Sequence, residues 1–282
     1  MTLNCLQHIS FTYVSLLNSI QPMKLLKFST GNAKLGKRLI FNLPAGYSCP
    51  NAGVCKTFAD RTTGEITDLP QLNGTDAAEF RCFAAMAETR PAVRDSRWHN
   101  WDLLREAMYQ SDDQLENLTA LIELSLAVQP QLDLCRIHES GDFWTENYMK
   151  AWANVARNNR DIKFYAYTKS LGMWVSLYQE LPDNLYLTAS WGGTLDYLIP
   201  KHTKIFKRIA YVVYSEEQAK GMYLEIDHDD SHCFGDKPFA LLVHGSQRAG
   251  SAASKAISQR KSQGKFVGYG KSNAQAKQKA CI

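Results

Sequence analysis

Three cysteines, Cys49, Cys55 and Cys82, sit in the stretches PAGYSCPNAGVC and RCFAAMAE near the start of a 282-residue chain. Thiolates bind soft metals, and three of them leave one coordination position open for a substrate or a fourth ligand, as in catalytic zinc and some iron–sulfur sites. The long gap before Cys82 matches no standard zinc spacing, so structural thiols are the plainer reading. His232 and Cys233 offer a late fourth ligand. Glu139 and Asp142 lie within one short turn, His138-Glu139-Ser140-Gly141-Asp142. Two carboxylates that close could push their pKa values apart and serve as general base or nucleophile. The structural alternative is that Asp142 caps the helix that follows.

Two further stretches invite chemistry. Asp227-His228-Asp229-Asp230-Ser231-His232-Cys233 could bind a metal or supply a nucleophilic carboxylate from Asp227 or Asp229, although a solvated acidic loop is the ordinary outcome. His244-Gly245-Ser246-Gln247-Arg248-Ala249-Gly250-Ser251 places small residues ahead of a helix, which suits a phosphate; its glycine spacing is neither a Walker loop nor a dinucleotide fingerprint. No Asp or Glu follows Asp236, whereas Arg248, Lys255, Arg260 and Lys261 do, so this end favours a polyanion such as DNA.

Positioning these groups requires alternating strands and helices. Leu134-Cys135-Arg136-Ile137 reads as a buried strand, Tyr148, Trp152 and Val155 recur at helical spacing, and Ile162 to Tyr167 reads as a second strand. That is a βαβ unit, whose loops after the strands carry the chemistry in barrel folds. The alternation continues through strands at Asn184–Ser190, Arg208–Tyr214 and Phe239–Val243, with Leu39 to Phe41 as the first strand. Fewer than eight strands are recognisable, so the expected fold is α/β, an incomplete (β/α) barrel ending in a basic helix. Residues 24–270 form its single domain, between an extension at 1–23 and a basic tail at 271–282. Asp60 to Ala78 reads as an exposed loop or hairpin.

The net charge of +4 decides nothing by itself, and the mixed composition argues against a disordered or fibrous chain. Seven cysteines, an odd number, suit a reducing compartment, hence the cytoplasm, better than a disulfide framework. Residues 2–22 are fairly apolar but lack the basic start of a signal peptide, and their apolar run is too short to span a bilayer.

RIHESGDFWTENYMKAWANVARNNRDIKFYAYTKS, with LPAGYSCPNAGVC and RCFAAMAE, resembles a bacteriophage protein family that combines an early Cys-Pro motif, a later Cys-aromatic-Ala motif and a Gly-Asp-Phe turn. ESGDF is also similar to the DSGGF turn of tRNA-guanine transglycosylases. That resemblance implies exchange of guanine in DNA for a 7-deazaguanine base, with Glu139 as the acidic residue before Ser-Gly and Asp227 or Asp229 as nucleophile. The compact cysteine zinc motif of those enzymes is absent, and Asp142 replaces a glycine. CRIHESGDF further resembles the Gly-Gly-Glu segment of radical-SAM barrels, which implies an iron–sulfur cluster on Cys49, Cys55 and Cys82. The leading expectation is a DNA guanine transglycosylase. The alternatives are a radical-SAM-like enzyme and a non-enzymatic nucleic-acid-binding phage protein.

Overall fold

The computed structural model describes residues 24–32, 34–68, 79–110 and 112–269; the extension, the tail and residues 69–78 of the insertion lie outside them. The expected strands form one sheet of seven in the order β1 (Phe28–Ser29), β2 (Leu39–Phe41), β5 (Leu134–Ile137), β6 (Lys163–Thr168), β7 (Leu185–Ser190), β8 (Ile209–Val213) and β9 (Phe239–Leu242). Between the second and third of these, β3 (Thr57–Ala59) and β4 (Ile66–Asp68) make a separate hairpin, which accounts for the described part of the insertion. Only β1 runs antiparallel; β2 to β9 in the main sheet are parallel.

Alternation fixes the two faces of the sheet. Phe41, Ile137, Ala166 and Leu187 stand in one cross-strand row, fully or almost fully buried. They pack with the helices α2 (Pro91–Tyr109), α3 (Gln114–Ala127), α4 (Glu146–Asn158) and α5 (Leu171–Leu177). Trp152 of α4 is wholly buried and meets the ring of Phe41 edge-on at 5.3 Å. A short helix α1 (Phe83–Ala87) precedes α2; α6 (Glu216–Gly221) and α7 (Ala252–Ser262) follow β8 and β9. Arg136, Tyr165, Tyr167 and Tyr186 alternate with the helix-facing residues, so they lie on the opposite face, where Cys233 and Phe234 join the two β6 tyrosines and Tyr186.

The sheet is open. Among the described residues no ladder joins β1 to β9, so a closed barrel is not formed. The free edge of β9 is instead covered by residues 225–227, where Ala240 N donates to Glu225 O at 2.7 Å and Asp227 N donates to Ala240 O at 2.9 Å. Covering an edge in this way removes a template for pairing with other chains. No helix among the described residues is long and apolar enough to cross a membrane.

The charged stretch Arg90–Arg97 is turned partly inward. It is the first part of α2, with Pro91 at its start, and Arg94 and Arg97 are buried. Both guanidiniums are paired, as buried charge must be. Arg94 donates to Arg61 O, Thr62 O and Glu88 O, while Arg97 donates to Ala84 O and to the Glu88 carboxylate.

Candidate active site at the carboxyl ends of the strands

The loops after β2, β5, β6 and β9 all reach one cavity of about 960 Å³, and so does the last residue of β7, Ser190. After β2 comes the loop with Cys49 and Cys55; after β5, the turn 138–142; after β6, Lys169; and after β9, His244 to Ser246. The first two loops approach closely enough to demand glycine. Gly141 has φ +93°, and a Cβ there would stand 2.6 Å from Ser48 Oγ and 2.7 Å from Leu43 Cβ. The loop after β7 is stitched on as well: Val54 N donates to Gly192 O at 2.9 Å, Thr194 N donates to Asn51 O at 3.1 Å, and a Cβ on Gly53 would meet Gly192 O at 2.5 Å.

Cys49, Cys55 and Cys82 share the wall of this cavity. Burial pushes the Cys49 thiol well up, with Asp142 and Cys82 adding to the shift. Burial also pushes Cys82 up to about 11, together with the Cys55 charge, while the amides of Ala85 and Ala84 and the Arg97 guanidinium oppose it. Among the described residues, no three His, Cys, Asp or Glu side chains are gathered around a single metal-ion position. Cys233 does not join them: it is buried with Tyr165, Ala210 and Phe239 on the sheet face opposite the helices, and burial pushes its thiol up to about 12.

Glu88, absent from the sequence-based site, fastens the cysteine segments together. Its Oε1 accepts from Ala45 N and Arg97 Nη1, each at 2.8 Å, and from Ser140 Oγ at 3.5 Å. One buried carboxylate thereby ties the β2 loop, α1, α2 and the turn after β5. A single acid in the alanine-rich run AAMAE was the available sequence signal, since an unpaired charge cannot stay buried there.

Asp142 is buried and does not cap α4; Thr145 does, accepting from Tyr148 N at 3.2 Å. Asp142 instead joins two strand ends, accepting from Thr168 Oγ1 at 2.6 Å, Lys169 N at 2.8 Å and Phe143 N at 2.7 Å. Burial raises its pKa to about 6, against the pull of these donors. Glu139 is half-buried on the cavity wall, where its Oε1 accepts from Asn32 Nδ2 at 2.6 Å. Lys169 Nζ also reaches the cavity but spends its protons on Ser190 O, Ser190 Oγ and Trp191 O. His138, at φ +65°, binds Tyr148 Oη through Nε2 at 2.9 Å; burial lowers its pKa to about 3, so its ring is neutral.

The acidic segment is placed elsewhere. Asp227 is buried, accepts from Asp230 N at 2.8 Å and bonds His232 Nδ1 at 2.8 Å; Asp229 is exposed and accepts from Ser231 N. Neither lines the cavity. Their neighbour Asp230, which sequence reasoning passed over, bridges Lys34 Nζ and Arg136 Nη1, each at 2.6 Å, and accepts from Tyr165 and Tyr167. Burial would raise its pKa, but Arg136 and Lys34 hold it at about 2.

The basic end divides. Arg248, Lys255 and Lys261 are exposed, but Arg260 is 3 % exposed and donates to Val243 O, so it cannot meet a polyanion. Its bond fastens α7 to the backbone just past β9.

The parallel sheet with one cavity across its carboxyl ends defines an α/β protein with a site built from strand-end loops. The chain belongs to the Gene product 88 family, whose profile matches residues 23–263. Over 166 residues it is 32% identical to the Gene 88 protein of Mycobacterium phage L5, and equally to that of Mycobacterium phage D29. Each match covers 56% of this chain and 58% of the relative, so the chain spans little more than half the length of these proteins. No solved structure matches. The bacteriophage resemblance read from the motifs therefore holds at the level of the family.

Proposed function

We propose that the protein is a radical-SAM-like iron–sulfur enzyme built on an incomplete, six-stranded (β/α) barrel. The observation that carries this reading is the place of the three cysteines. They come from the segment after the first parallel strand and share a cavity wall with the carboxylate-bearing turn after the second. Strand order supports the barrel: the six parallel strands follow one another in sequence, as the strands of a (β/α) barrel do.

Cys49, Cys55 and Cys82 would hold the cluster. An iron–sulfur cluster draws its thiolates from a wider perimeter than one zinc ion, whose sulfur ligands stand about 2.3 Å from the metal. When bound, the cluster supplies an electron for reductive cleavage of S-adenosylmethionine. The protein's own groups shape the surroundings: Glu88 fixes the spacing of the cysteine segments, Asp142 locks the β5 and β6 loop ends, and Glu139 presents a carboxylate to the cavity. Guanine exchange is the weaker reading, because its candidate nucleophiles Asp227 and Asp229 do not line the cavity.

Reconstitution with iron and sulfide under anaerobic conditions tests the proposal. A brown protein is expected, with visible absorption that bleaches on reduction and is lost in Cys82→Ala and Cys49→Ala but kept in Cys233→Ala. Stoichiometric zinc in the purified protein, or absorption that survives the Cys82 change, would overturn it.

A further inference from the structure

The loop His244–Ser251 takes no part in the proposed cluster site, yet it is fastened to the segment around Cys82. Gln247 Oε1 accepts from Arg81 N at 2.8 Å, and its Nε2 donates back to Arg81 O at 3.2 Å and to His244 O at 3.0 Å. This two-way clamp joins residues far apart in sequence into one lip of the cavity. On it the rings of Phe83 and His244 lie 4.9 Å apart at a shallow 31°, with Tyr269 edge-on to His244 at 5.3 Å. His244 Nδ1 donates to Leu242 O, and burial lowers its pKa to about 4, so the ring beneath Phe83 is uncharged. Phe83 itself is 39% exposed.

Cationic residues line the same cavity as these rings or follow on the chain segment that carries His244. Lys27 and Arg90 line the same cavity and are exposed; Arg248 and Lys255 follow on the exposed loop and the first turn of α7. The described ion pairs leave all four without a carboxylate partner. An exposed aromatic stack flanked by unpaired cations is the arrangement that binds unpaired bases and their backbone, since every base has a stacking face and every phosphate a charge. A duplex hides those faces.

We propose that this lip binds single-stranded nucleic acid, with a base stacked on the exposed face of Phe83 and the flanking phosphates on Arg90 and Arg248. The assignment deepens the enzyme reading by naming its substrate class, but the binding itself requires no cluster.

Fluorescence anisotropy of the metal-free protein with a labelled single-stranded DNA of about 12 nucleotides provides the test. The single strand should bind more tightly than the matching duplex. Phe83→Ala should weaken binding about tenfold, the loss of one stacked base, while leaving the salt slope unchanged. Arg248→Gln with Lys255→Gln should weaken binding and make the slope shallower. Phe83→Trp should restore affinity, and its emission should be quenched by the oligonucleotide. The proposal fails if Phe83→Ala binds like the parent, if binding leaves the emission of the Trp variant unchanged, or if inorganic polyphosphate displaces the DNA as well as unlabelled DNA does. Because visible absorption reports the cluster and anisotropy reports the lip, failure of either reading is seen separately.

Discussion

Two regions of this molecule carry similar chemistry on paper and end in opposite conditions. The turn 138–142 and the segment 227–233 each hold carboxylates, a histidine and a nearby cysteine. The first opens onto the cavity, and its buried Asp142 is raised to about 6 by burial that three donors do not overcome. The second folds onto itself and onto the sheet face opposite the helices. Asp227 is occupied by His232 and a backbone amide, and Asp230 is neutralised by two cations and held at about 2. Residue type does not distinguish these sites. What does is the supply of partners: a carboxylate surrounded by cations is fixed in its charged state and serves stability, whereas one buried beside weaker donors stays poised to change protonation.

The largest effect should come from breaking the satisfied region. Asp230→Ala strands Arg136, which is little exposed, without its salt-bridge carboxylate, and loss of about 3–5 kcal/mol is expected in urea denaturation. The ionised Asp230 also carries a pH signature. Its folded pKa lies below the unfolded value, so its contribution of roughly 2 kcal/mol is present above about pH 4 and disappears as pH falls through about 2. A loss under 1 kcal/mol in Asp230→Ala would show that Arg136 finds water or other partners, and the contrast between the regions would weaken.

Asp142 has the opposite sign. Its folded pKa is raised, so the stability linked to its neutral form is present below about pH 4 and is lost, by about 3 kcal/mol, as pH rises through about 6. The difference in unfolding free energy between Asp142→Asn and the parent should therefore move toward the variant across that window. A difference that stays flat from pH 4 to 7 would mean that Asp142 is already ionised and no more poised than Asp230. Because Thr145 is the helix cap, this substitution tests the bond between strand ends rather than α4.

The smallest effect belongs to Asp229. It is exposed and bonded only to Ser231, so Asp229→Asn should alter stability by less than about 0.5 kcal/mol and leave cluster assembly unchanged. A large loss of stability would show that Asp229 has partners beyond Ser231, and a loss of absorption from the proposed cluster would place this loop in the site.

The sequence by itself determined the repeated strand–helix order, because a switch between period two and period 3.6 is a local property of each segment. The strands Leu134–Ile137 and Phe239–Leu242 were legible for that reason, as were the glycine turn and the early cysteines. Only the tertiary structure decided which polar groups work together. It carried Cys82 back to Cys49 and Cys55 across the hairpin insertion, buried Arg260 and Cys233, and set Glu88, Arg97, Lys169 and Asp230 as fasteners. It also clamped Gln247 to Arg81 across most of the chain. Such choices depend on burial and on partners remote in sequence. A carboxylate or guanidinium reads the same along the chain whether it will face solvent, a cation or an open cavity, and its free energy differs by several kcal/mol among the three.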